Sequence, residues 1–424
     1  MPSITFLASF AVLLTALSLP AAQAQRDPPA DAVVPDSYII TFKSDISTSN
    51  FGSVTQSLHA ILNRESANGD SDIQSAIDSS KTASIGTQFR TVPATLSAST
   101  ADQLRRHPAV ASVSRNMRYK VSAPVPAPAP AGFSVQSAPV PNWGLARIAT
   151  RQLPSPLSAS TFNYPAAAGA NVAVYVIDTG IHLAHQDLAG RVEWGTTTCS
   201  NCKDRADVQG HGSHVAGISC GSTFGVAKKA KCIAVKALDD EGFGTTADIV
   251  KGIEWAVTSA KARKGEKAVI NMSIHGYEDK VMNAAVEAAV REGITVVVAA
   301  GNKGQSACYG SPSSAPSAVV VGATNDKDWM PTFSNYGSCV TLLAPGVDIL
   351  SIATGTTNGS KLNTGTSMAS PMVAGVAALL LSQDPTLTPE QIRNKLVGAA
   401  TDGVLHDTVY GTPNKLVFAG DLMK

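Results

Sequence analysis

The sequence contains 424 residues, of which 44% are hydrophobic and 15% are charged, and its formal net charge is only +1. This length is enough for two or three domains of roughly 100–200 residues each, and the composition excludes a chain that is disordered throughout. Because no basic run occurs along the chain, the charge pattern does not favour binding to nucleic acid or to an anionic membrane surface.

Residues 1–24 have the features of a secretory signal peptide. The apolar residues 6–19 are followed by Ala22-Gln-Ala24, an A-x-A pattern that predicts cleavage after Ala24. A membrane anchor is the alternative, but the apolar segment is shorter than the roughly 20 residues that a span requires, and no later segment is predicted to cross a membrane. The pattern predicts secretion, and a vacuolar destination stays open because that pathway begins with the same kind of signal.

Residues 25–120 are predicted to form a small α+β domain. Its predicted strands, rich in β-branched and aromatic residues, are 37–43, 88–96 and 110–114. Residues 51–64 carry apolar side chains on one helical face. Ser99-Thr-Ala-Asp102 predicts a capping box that opens a second helix, which ends near His107.

Residues 121–141 are rich in Pro and Ala and predict a polyproline II linker before a larger domain, residues 142–424. In this larger domain, short strand-like runs alternate with helical ones. The runs are 172–177, 232–237, 268–274, 294–300 and 318–323 for strands, and 246–263 and 280–292 for helices. Such alternation predicts a doubly wound α/β domain with a mostly parallel sheet, and catalytic groups gather at the carboxyl ends of such strands.

Three motifs of the larger domain predict acyl-transfer chemistry. Asp178 ends a β-branched strand, and His211 lies between two glycines at the start of a small-residue helix. Ser367 follows Gly365 in the first turn of an apolar helix, where backbone N–H groups favour negative charge. Alone, such a serine could simply cap a helix. Together, an Asp that orients a His and a His that takes a proton from Ser predict nucleophilic catalysis.

These motifs resemble those of the subtilisin-type serine proteases, and most of all the secreted proteinase K branch. The matching segments are Asp178-Thr-Gly, His211-Gly-Ser-His and Gly365-Thr-Ser367-Met-Ala-Ser-Pro, and the likeness extends over about residues 143–381. The chain order Asp, His, Ser is also that of subtilisin. The resemblance implies a subtilisin-like serine endopeptidase in which Ser367 attacks the peptide bond, His211 transfers the proton and Asp178 orients His211.

Two other functions stay open at this point. One is a catalytically silent secreted binding protein of the same fold, whose cleft is blocked by His275 or by a retained N-terminal domain. The other is an esterase with the same triad, which is disfavoured because Gly365-Thr-Ser367-Met-Ala369 lacks the second Gly of the G-x-S-x-G elbow. Turnover of a peptide amide would separate the protease from the esterase.

The N-terminal domain resembles the ferredoxin-like propeptide that subtilisins use as folding assistant and inhibitor. An unrelated binding domain is the alternative. The resemblance implies a monomeric zymogen whose partners are polypeptide substrates and its own propeptide. The last propeptide residues, from Tyr119 to Ala123 or somewhat later, are expected in the active-site cleft, with the mature N-terminus within residues 121–136.

The resemblance also implies an oxyanion donor and three substrate-binding segments. Asn302 follows a predicted buried strand and would donate to the oxyanion together with the backbone N–H of Ser367. The alternative is an Asn that caps a turn. The substrate-binding segments are Gly242, Phe243 and Gly244; Ser273, Ile274, His275 and Gly276; and Ala299, Ala300 and Gly301. The first segment could also be a plain glycine turn, but in the family it pairs with the substrate backbone.

At His275 the sequence departs from the proteinase K pattern, which has Gly there. The imidazole either narrows the cleft or contacts a substrate side chain, or else it is exposed to solvent with no role. Both interpretations stay open.

No organic cofactor is implied. The family's tight calcium site uses carbonyls near Pro316 and Ala318 and a carboxylate, and the position of that carboxylate falls on Thr341. Because a neutral hydroxyl is a poor ligand for a hard cation, we expect this site to be weak or absent, while structural calcium elsewhere stays open.

An even number of cysteines behind a signal peptide predicts disulfides. The Cys199-Ser-Asn-Cys202 spacing could instead indicate a redox or zinc site, but no second CxxC is present. Thermostable relatives of proteinase K carry a bridge that corresponds to Cys308–Cys339, which is the pair the resemblance implies. The other four cysteines allow three pairings, and the one we favour is Cys220 with Cys232 and Cys199 with Cys202.

Two N-x-S sequences occur in the larger domain. Asn358-Gly-Ser360 falls in a predicted loop and is a predicted glycosylation site. Asn271-Met-Ser273 falls in a predicted buried strand, so we expect Asn271 to be unmodified.

Overall fold

Two structural units follow one another along the chain. The computed structural model describes residues 28–46, 48–67, 76–121, 142–155, 162, 164–202, 204–406, 408 and 410–420. The predicted signal peptide and residues 122–141 of the predicted linker lie outside the described residues.

The N-terminal unit is an antiparallel sheet packed against helices. Its strands are Val33–Phe42 (β1), Ala76–Ile77 (β2), Ala83–Ile85 (β3), Phe89–Thr95 (β4) and Val110–Val121 (β5), and its helices are Thr48–Ala67 (α1) and Ala98–Leu104 (α2). The strand order β5-β1-β4-β2 is that of a ferredoxin-like βαββαβ unit. Leu58 and Leu62 of α1 pack on Ile40 and Val92 of the sheet to form a separate small core. The ferredoxin-like prediction for this unit is confirmed.

Two details of this unit differ from the prediction. The cap of α2 is Ser97 rather than Ser99, because Ser97 is the last extended residue and its hydroxyl accepts the backbone N–H of Thr100 at 3.1 Å. The helix also ends at Leu104, before His107. Strand β5 continues seven residues beyond the predicted Ser114 to Val121, because it gains pairing partners in the larger unit.

The larger unit is built on a nine-stranded sheet with the order β18-β19-β15-β14-β12-β10-β6-β8-β7. Its strands are Val172–Asp178 (β6), Val192–Thr197 (β7), Lys231–Lys236 (β8), Phe243–Thr245 (β9), Lys267–Met272 (β10), Ile274–Tyr277 (β11), Thr295–Ala299 (β12), Gly310–Ser311 (β13), Val319–Thr324 (β14), Leu342–Pro345 (β15), Ile349–Ile352 (β16), Ser360–Asn363 (β17), Thr401–Asp402 (β18) and Lys415–Leu416 (β19). Its helices are Trp143–Ala149 (α3), His211–Cys220 (α4), Thr246–Ala262 (α5), Lys280–Arg291 (α6), Thr366–Gln383 (α7) and Pro389–Ala399 (α8). All pairs in the nine-stranded sheet are parallel except β18 with β19, so the predicted doubly wound, mostly parallel architecture is confirmed.

Both faces of this sheet are covered, because alternate side chains of each strand point to opposite faces. In β6, Val174 and Val176 belong to a core shared with α4 and α7, whereas Tyr175 and Ile177 belong to a core shared with α5 and α6. Helix α7 is apolar all round because it is buried between the sheet and α4. Among the described residues it is the one helix long and apolar enough to cross a bilayer, and its buried position accounts for that composition.

The strand order reverses beside β6. From β6 the chain builds β7 and β8 on one side of the sheet and then β10, β12, β14 and β15 on the other. Such a reversal opens a crevice at the carboxyl ends of the strands. Asp178 is the last residue of β6, and Ser273 follows the last residue of β10, so both lie at this crevice.

The N-terminal unit joins the larger unit by strand addition. Strand β5 lies between β9 and β11 and pairs antiparallel with both. Next to this junction, Lys81 forms an ion pair with Asp248 of α5 at 2.9 Å, and Glu254 accepts the backbone N–H of Ser84 at 3.0 Å. The first unit therefore covers α5 as well as the two strands.

Three disulfides connect the cysteines as Cys199–Cys202, Cys220–Cys232 and Cys308–Cys339. These are the pairings that the sequence analysis favoured. No free cysteine and no cluster of three or more His, Cys, Asp or Glu side chains suited to a metal ion occurs among the described residues. Asn358 is exposed, whereas Asn271 is fully buried in β10.

Candidate active site

Asp178 and His211 form a buried pair at the crevice. Both His211 Nδ1 distances, 2.8 Å to Oδ1 and 3.0 Å to Oδ2 of Asp178, are within hydrogen-bond range. An acceptor on Nδ1 fixes the tautomer that carries its proton there, which leaves Nε2 as a proton acceptor. Nε2 of His211 is buried and has no hydrogen-bond partner in the part of the chain that the structure describes. This is the arrangement that a general base requires.

The pair forms because α4 begins directly beside the end of β6. The start of α4 carries no side chain at Gly212, where a Cβ would lie 2.2 Å from the carbonyl oxygen of Gly180. The N–H of Gly212 instead donates to the hydroxyl of Thr179 at 3.0 Å. Glycine at this position is therefore required for the close approach of the helix to the strand.

A second buried carboxylate, Asp207, ties these elements together, and the sequence analysis missed it. Its Oδ1 accepts from the Thr179 hydroxyl at 2.7 Å and from the N–H of Gly210 at 2.8 Å. Its Oδ2 accepts the N–H of Ser213 at 2.7 Å and the Ser213 hydroxyl at 2.6 Å. The available signal was an Asp placed four residues before His211, where it can cap the helix start.

Ser367 lies in the first turn of α7, beside the end of β10. Its hydroxyl donates to the carbonyl oxygen of Ser273 at 3.1 Å, and the hydroxyl of Ser273 donates to the Ser367 carbonyl at 3.0 Å. The Ser367 hydroxyl is thus turned toward Ser273 rather than toward His211. Catalytic hydrogen bonds are often long or misaligned outside the Michaelis complex, so this rotamer is compatible with a catalytic role.

Asn302 presents a buried donor beside Ser367. Its Oδ1 accepts the N–H of Thr366 at 2.9 Å and the Thr366 hydroxyl at 2.7 Å. Its Nδ2 is buried and has no hydrogen-bond partner among the described residues. A Cβ on Gly365 would come within 2.7 Å of this Nδ2, so the glycine keeps space open in front of the amide. Ala299, Ala300 and Gly301 lead from β12 to Asn302, and the N–H of Gly301 donates to Thr366 at 3.1 Å.

The other two predicted substrate-binding segments are the edges that hold β5. Tyr119 pairs with Gly244 and Lys120 with Phe243 on one side, and the N–H of Val121 donates to the Gly242 carbonyl at 3.0 Å. On the other side, Lys120 pairs with His275 and Val121 with Ile274. Phe243 and Gly244 are therefore one edge of a two-sided groove that holds a strand, whereas Gly242 lies in the turn before β9 with a positive φ of 82°.

His275 is buried, so the solvent-exposed alternative is wrong. Only 8% of its surface is accessible, and the imidazole lies against two glycines. A Cβ on Gly310 would lie 2.0 Å from Cε1, and a Cβ on Gly301 would lie 2.8 Å from Nδ1. Burial lowers the pKa of His275 to about 4, so the ring is neutral at neutral pH. Its backbone still pairs with Lys120, and the side chain therefore does not exclude a peptide strand from the groove.

The matches of the sequence to known protein families agree with this geometry. Residues 169–416 match the Subtilase family, which is more than half of the chain. The chain belongs to the subtilase family. Residues 37–122 match the peptidase inhibitor I9 family, so this subtilase carries an inhibitor-type propeptide unit in front of its catalytic unit.

Relatives of this subtilase cover nearly all of it. The subtilisin-like serine protease Pen ch 18 of Penicillium rubens is 37% identical over 414 residues, which are 91% of this chain and 81% of the relative. Subtilisin-like protease 1 of Pseudogymnoascus destructans is 34% identical over 420 residues, 99% of this chain and 98% of the relative. The crystal structure of a cold-adapted subtilisin-like serine proteinase is 40% identical, with a TM-score of 0.60, and covers 65% of this chain and 97% of its own. The predicted subtilisin-like fold is thereby confirmed, and this subtilase is a serine endopeptidase.

Proposed function

We propose that this subtilase is a secreted zymogen that cleaves its own propeptide and then polypeptide substrates through an acyl-enzyme. Ser367 attacks the scissile carbonyl, and His211 takes its proton and later delivers it to the leaving amine. Asp178 holds the tautomer of His211 and stabilises the imidazolium. Asn302 Nδ2 and the Ser367 backbone N–H donate to the tetrahedral oxyanion.

The observation that carries this proposal is the path of β5. The strand is held on both sides by backbone pairing, as a peptide substrate would be bound by strand addition. Val121, the last described residue of β5, pairs with Ile274, which directly follows Ser273. The Ser273 carbonyl accepts from the Ser367 hydroxyl at 3.1 Å. The proposal therefore puts the self-cleavage site after residue 122, so that Ala123 becomes the mature N-terminus.

Two features weigh against the silent binder and the esterase. Within the described residues, the buried N–H₂ group of Asn302 has no hydrogen-bond partner, which costs stability unless the group serves a ligand or a transition state. The groove offers backbone donors and acceptors on two edges, which suit a peptide and have no counterpart in a simple ester. Both features favour hydrolysis of peptide bonds.

Labelling of the nucleophile tests the catalytic roles. We expect a sulfonyl fluoride to modify Ser367 of the secreted enzyme, as located by peptide mass spectrometry, and to abolish turnover of a peptide amide. Ser367→Ala removes labelling and turnover together. Ser382→Ala, at the far end of the same helix, is the matched control and retains both. Amide turnover that persists in Ser367→Ala, or a wild-type enzyme that takes no label, would contradict the assignment.

Secretion is part of the same proposal. It is supported by the predicted signal peptide and by three disulfides, which persist in oxidising compartments. We expect the enzyme in the medium of a fungal host that expresses the full chain. Deletion of residues 2–24 should retain the protein inside the cell, and an unchanged amount in the medium would contradict the proposal.

We also propose that the family's tight calcium site is absent here. The Thr341 hydroxyl already accepts the N–H of Val320 at 3.0 Å, and the Pro316 carbonyl accepts from the Arg393 guanidinium at 2.6 Å. A neutral oxygen and a carbonyl occupied by a cation do not fit a calcium site. We expect Thr341→Ala to leave the calcium dependence of the unfolding temperature of Ser367→Ala unchanged. Tight calcium binding in equilibrium dialysis that Thr341→Ala abolishes would contradict this.

A further inference from the structure

The side chain of Tyr119 is inserted into a closed pocket of the catalytic unit. Only 1% of its surface is accessible, although Tyr119 belongs to the propeptide. One ring edge lies over Gly276, where a Cβ would come within 2.7 Å of the Tyr119 Cδ1 atom. The phenol oxygen lies 3.1 Å from Asp279 Oδ2 at the closed end. The pocket thus combines an apolar wall with one carboxylate.

Asp279 is positioned rigidly for this contact. Its Oδ1 caps α6 by accepting the N–H groups of Val281 at 2.8 Å and Met282 at 3.2 Å. Its Oδ2 accepts from the Thr246 hydroxyl at 2.7 Å and from the Tyr119 phenol. With Tyr119 in place, only 4% of Asp279 is accessible, so bulk solvent does not reach the carboxylate beside the bound ring. Burial, reinforced by the charge of Asp279, raises the pKa of Tyr119, and the phenol therefore stays protonated and donates.

We infer that Asp279 is a specificity-determining residue that makes the enzyme select substrates with tyrosine at the fourth position before the scissile bond. The position follows from cleavage after residue 122, since Tyr119, Lys120, Val121 and residue 122 then precede the bond. The inference rests on the proposed function and names the substrate class of that same groove. Gly276 and Asp279, which contact the ring and the phenol, belong to the catalytic unit, so they remain when the propeptide leaves.

Tyrosine is selected over phenylalanine because phenylalanine leaves a hydrogen-bond acceptor, Asp279 Oδ2, without the phenol donor. Phenylalanine fills the same apolar space but provides no donor, so Asp279 Oδ2 would be buried with Thr246 alone. A site built to hydrogen-bond a hydroxyl rejects the analogue that lacks it far more strongly than an apolar pocket distinguishes similar sizes. For a hydrogen bond to a charged group we expect a preference for Tyr over Phe of about 10-fold or more.

The first experiment compares two peptides with the mature enzyme. They carry the sequence of residues 118–123, Arg-Tyr-Lys-Val-Ser-Ala, and the same sequence with Phe for Tyr, each between a fluorophore and a quencher. We expect kcat/KM to be about 10-fold higher for the Tyr peptide. In Asp279→Ser the ratio falls to about 1, because Ser still caps α6 but is too short to reach the phenol. Glu278→Ser, which removes the neighbouring exposed carboxylate, keeps the wild-type ratio and is the matched control.

The second experiment needs no turnover and uses the full chain with Ser367→Ala. Tyr119→Phe is expected to lower the unfolding temperature by about 1–3 °C in this background. The same change in the Asp279→Ser background is expected to have no effect, since the acceptor is already gone. A double-mutant cycle of this kind isolates the contact from the separate effects of the two substitutions.

The outcomes separate the two levels of the argument. If both peptides are cleaved with equal kcat/KM, the specificity role of Asp279 is overturned while the proposed function stands. If a Tyr preference persists in Asp279→Ser, another residue carries it, and the inference is again overturned. If no peptide is cleaved, the proposed function fails, and only the double-mutant cycle of unfolding temperatures tests the contact. A smaller effect of Tyr119→Phe in the Asp279→Ser background supports recognition of the phenol by Asp279, and an equal effect in both backgrounds refutes it.

Discussion

At the residue scale, the candidate site is defined by polar atoms that are buried without partners. Nδ2 of Asn302 and Nε2 of His211 both lack hydrogen bonds within the described chain, although such groups are costly when left unsatisfied. In the proposed mechanism both atoms act on the groups that react at Ser367. An unsatisfied donor suits an oxyanion that exists only in the transition state, and an unsatisfied imidazole nitrogen suits a proton that is transferred there.

Substitution of Asn302 tests the oxyanion role. We expect Asn302→Ala to lower kcat about 10²–10³-fold with little change in KM, because the amide contacts the oxyanion and not the bound substrate. Turnover of a peptide amide is the measurement. Asn325→Ala is the control, since Asn325 merely accepts turn N–H groups from Lys327 and Trp329. Equal losses of kcat in the two variants would show that Asn302 is only a cap.

Two buried histidines predict a loss of stability in acid. Burial lowers the pKa of His214 to about 3 and that of His275 to about 4, against about 6.5 in an unfolded chain. Between these values the unfolded state binds more protons, so stability is complete above pH ~6.5 and is lost as the pH falls toward about 4. Each histidine contributes a slope of about 1.4 kcal/mol per pH unit.

Urea unfolding of the Ser367→Ala chain at pH 7, 6, 5 and 4 measures this slope. Replacement of His275 by Gln should reduce the slope by about half, because one of the two histidines with a lowered pKa is removed. The raised pKa of buried Asp279 acts in the opposite direction, and its effect is common to both proteins, so it cancels in the comparison. Identical slopes with and without His275 would contradict the prediction.

At the element scale, the site depends on how the start of α4 meets the end of β6. Asp207 is buried and accepts four hydrogen bonds from residues of this junction. It touches neither His211 nor Asp178 in these contacts. We therefore regard Asp207 as a positioning residue that fixes the orientation of His211 through Gly210 and Ser213.

Asp207→Asn tests this positioning. The new N–H₂ group would face one pair of donors, and we expect a loss of about 2–4 kcal/mol of unfolding free energy together with at least a 10-fold fall in kcat. A shift in the acid limb of the kcat profile distinguishes a displaced His211 from mere destabilisation. Asp384→Asn, which changes an exposed turn carboxylate, should alter neither. An unchanged kcat in Asp207→Asn would show that the junction is rigid without this carboxylate.

Sequence patterns predicted the strands and helices that local residue composition determines. They missed the features that depend on contacts with residues distant in the sequence. The buried strands β6, β10 and β12 were evident from their β-branched runs, and the three motifs located Asp178, His211 and Ser367. The extension of β5 to Val121 depends on pairing with β9 and β11, which local composition does not encode. From its sequence neighbours, Asp279 is recognisable only as a helix cap. Its second carboxylate oxygen accepts a hydrogen bond from Tyr119 of the N-terminal unit, a contact that the local sequence does not indicate.

At the scale of the whole molecule, strand β5 joins the N-terminal unit to the catalytic unit. Strand β5 belongs to the N-terminal sheet through β1 and to the catalytic groove through β9 and β11. The eight-stranded sheet that results extends from the propeptide across the groove to β13. Under the proposed function, a substrate cannot enter the groove while β5 fills it, and the N-terminal unit therefore inhibits the uncleaved chain.

The most direct test of the account is to secrete the full chain and its Ser367→Ala variant side by side and to determine their masses and N-termini. We expect the unmodified chain to lose its propeptide and to begin at Ala123, and the variant to retain residues 25–122. This result would assign amide cleavage to Ser367 and the cleavage site to the end of β5. Identical trimming of both proteins would contradict self-cleavage, and an unmodified chain that keeps its propeptide would contradict the zymogen account altogether.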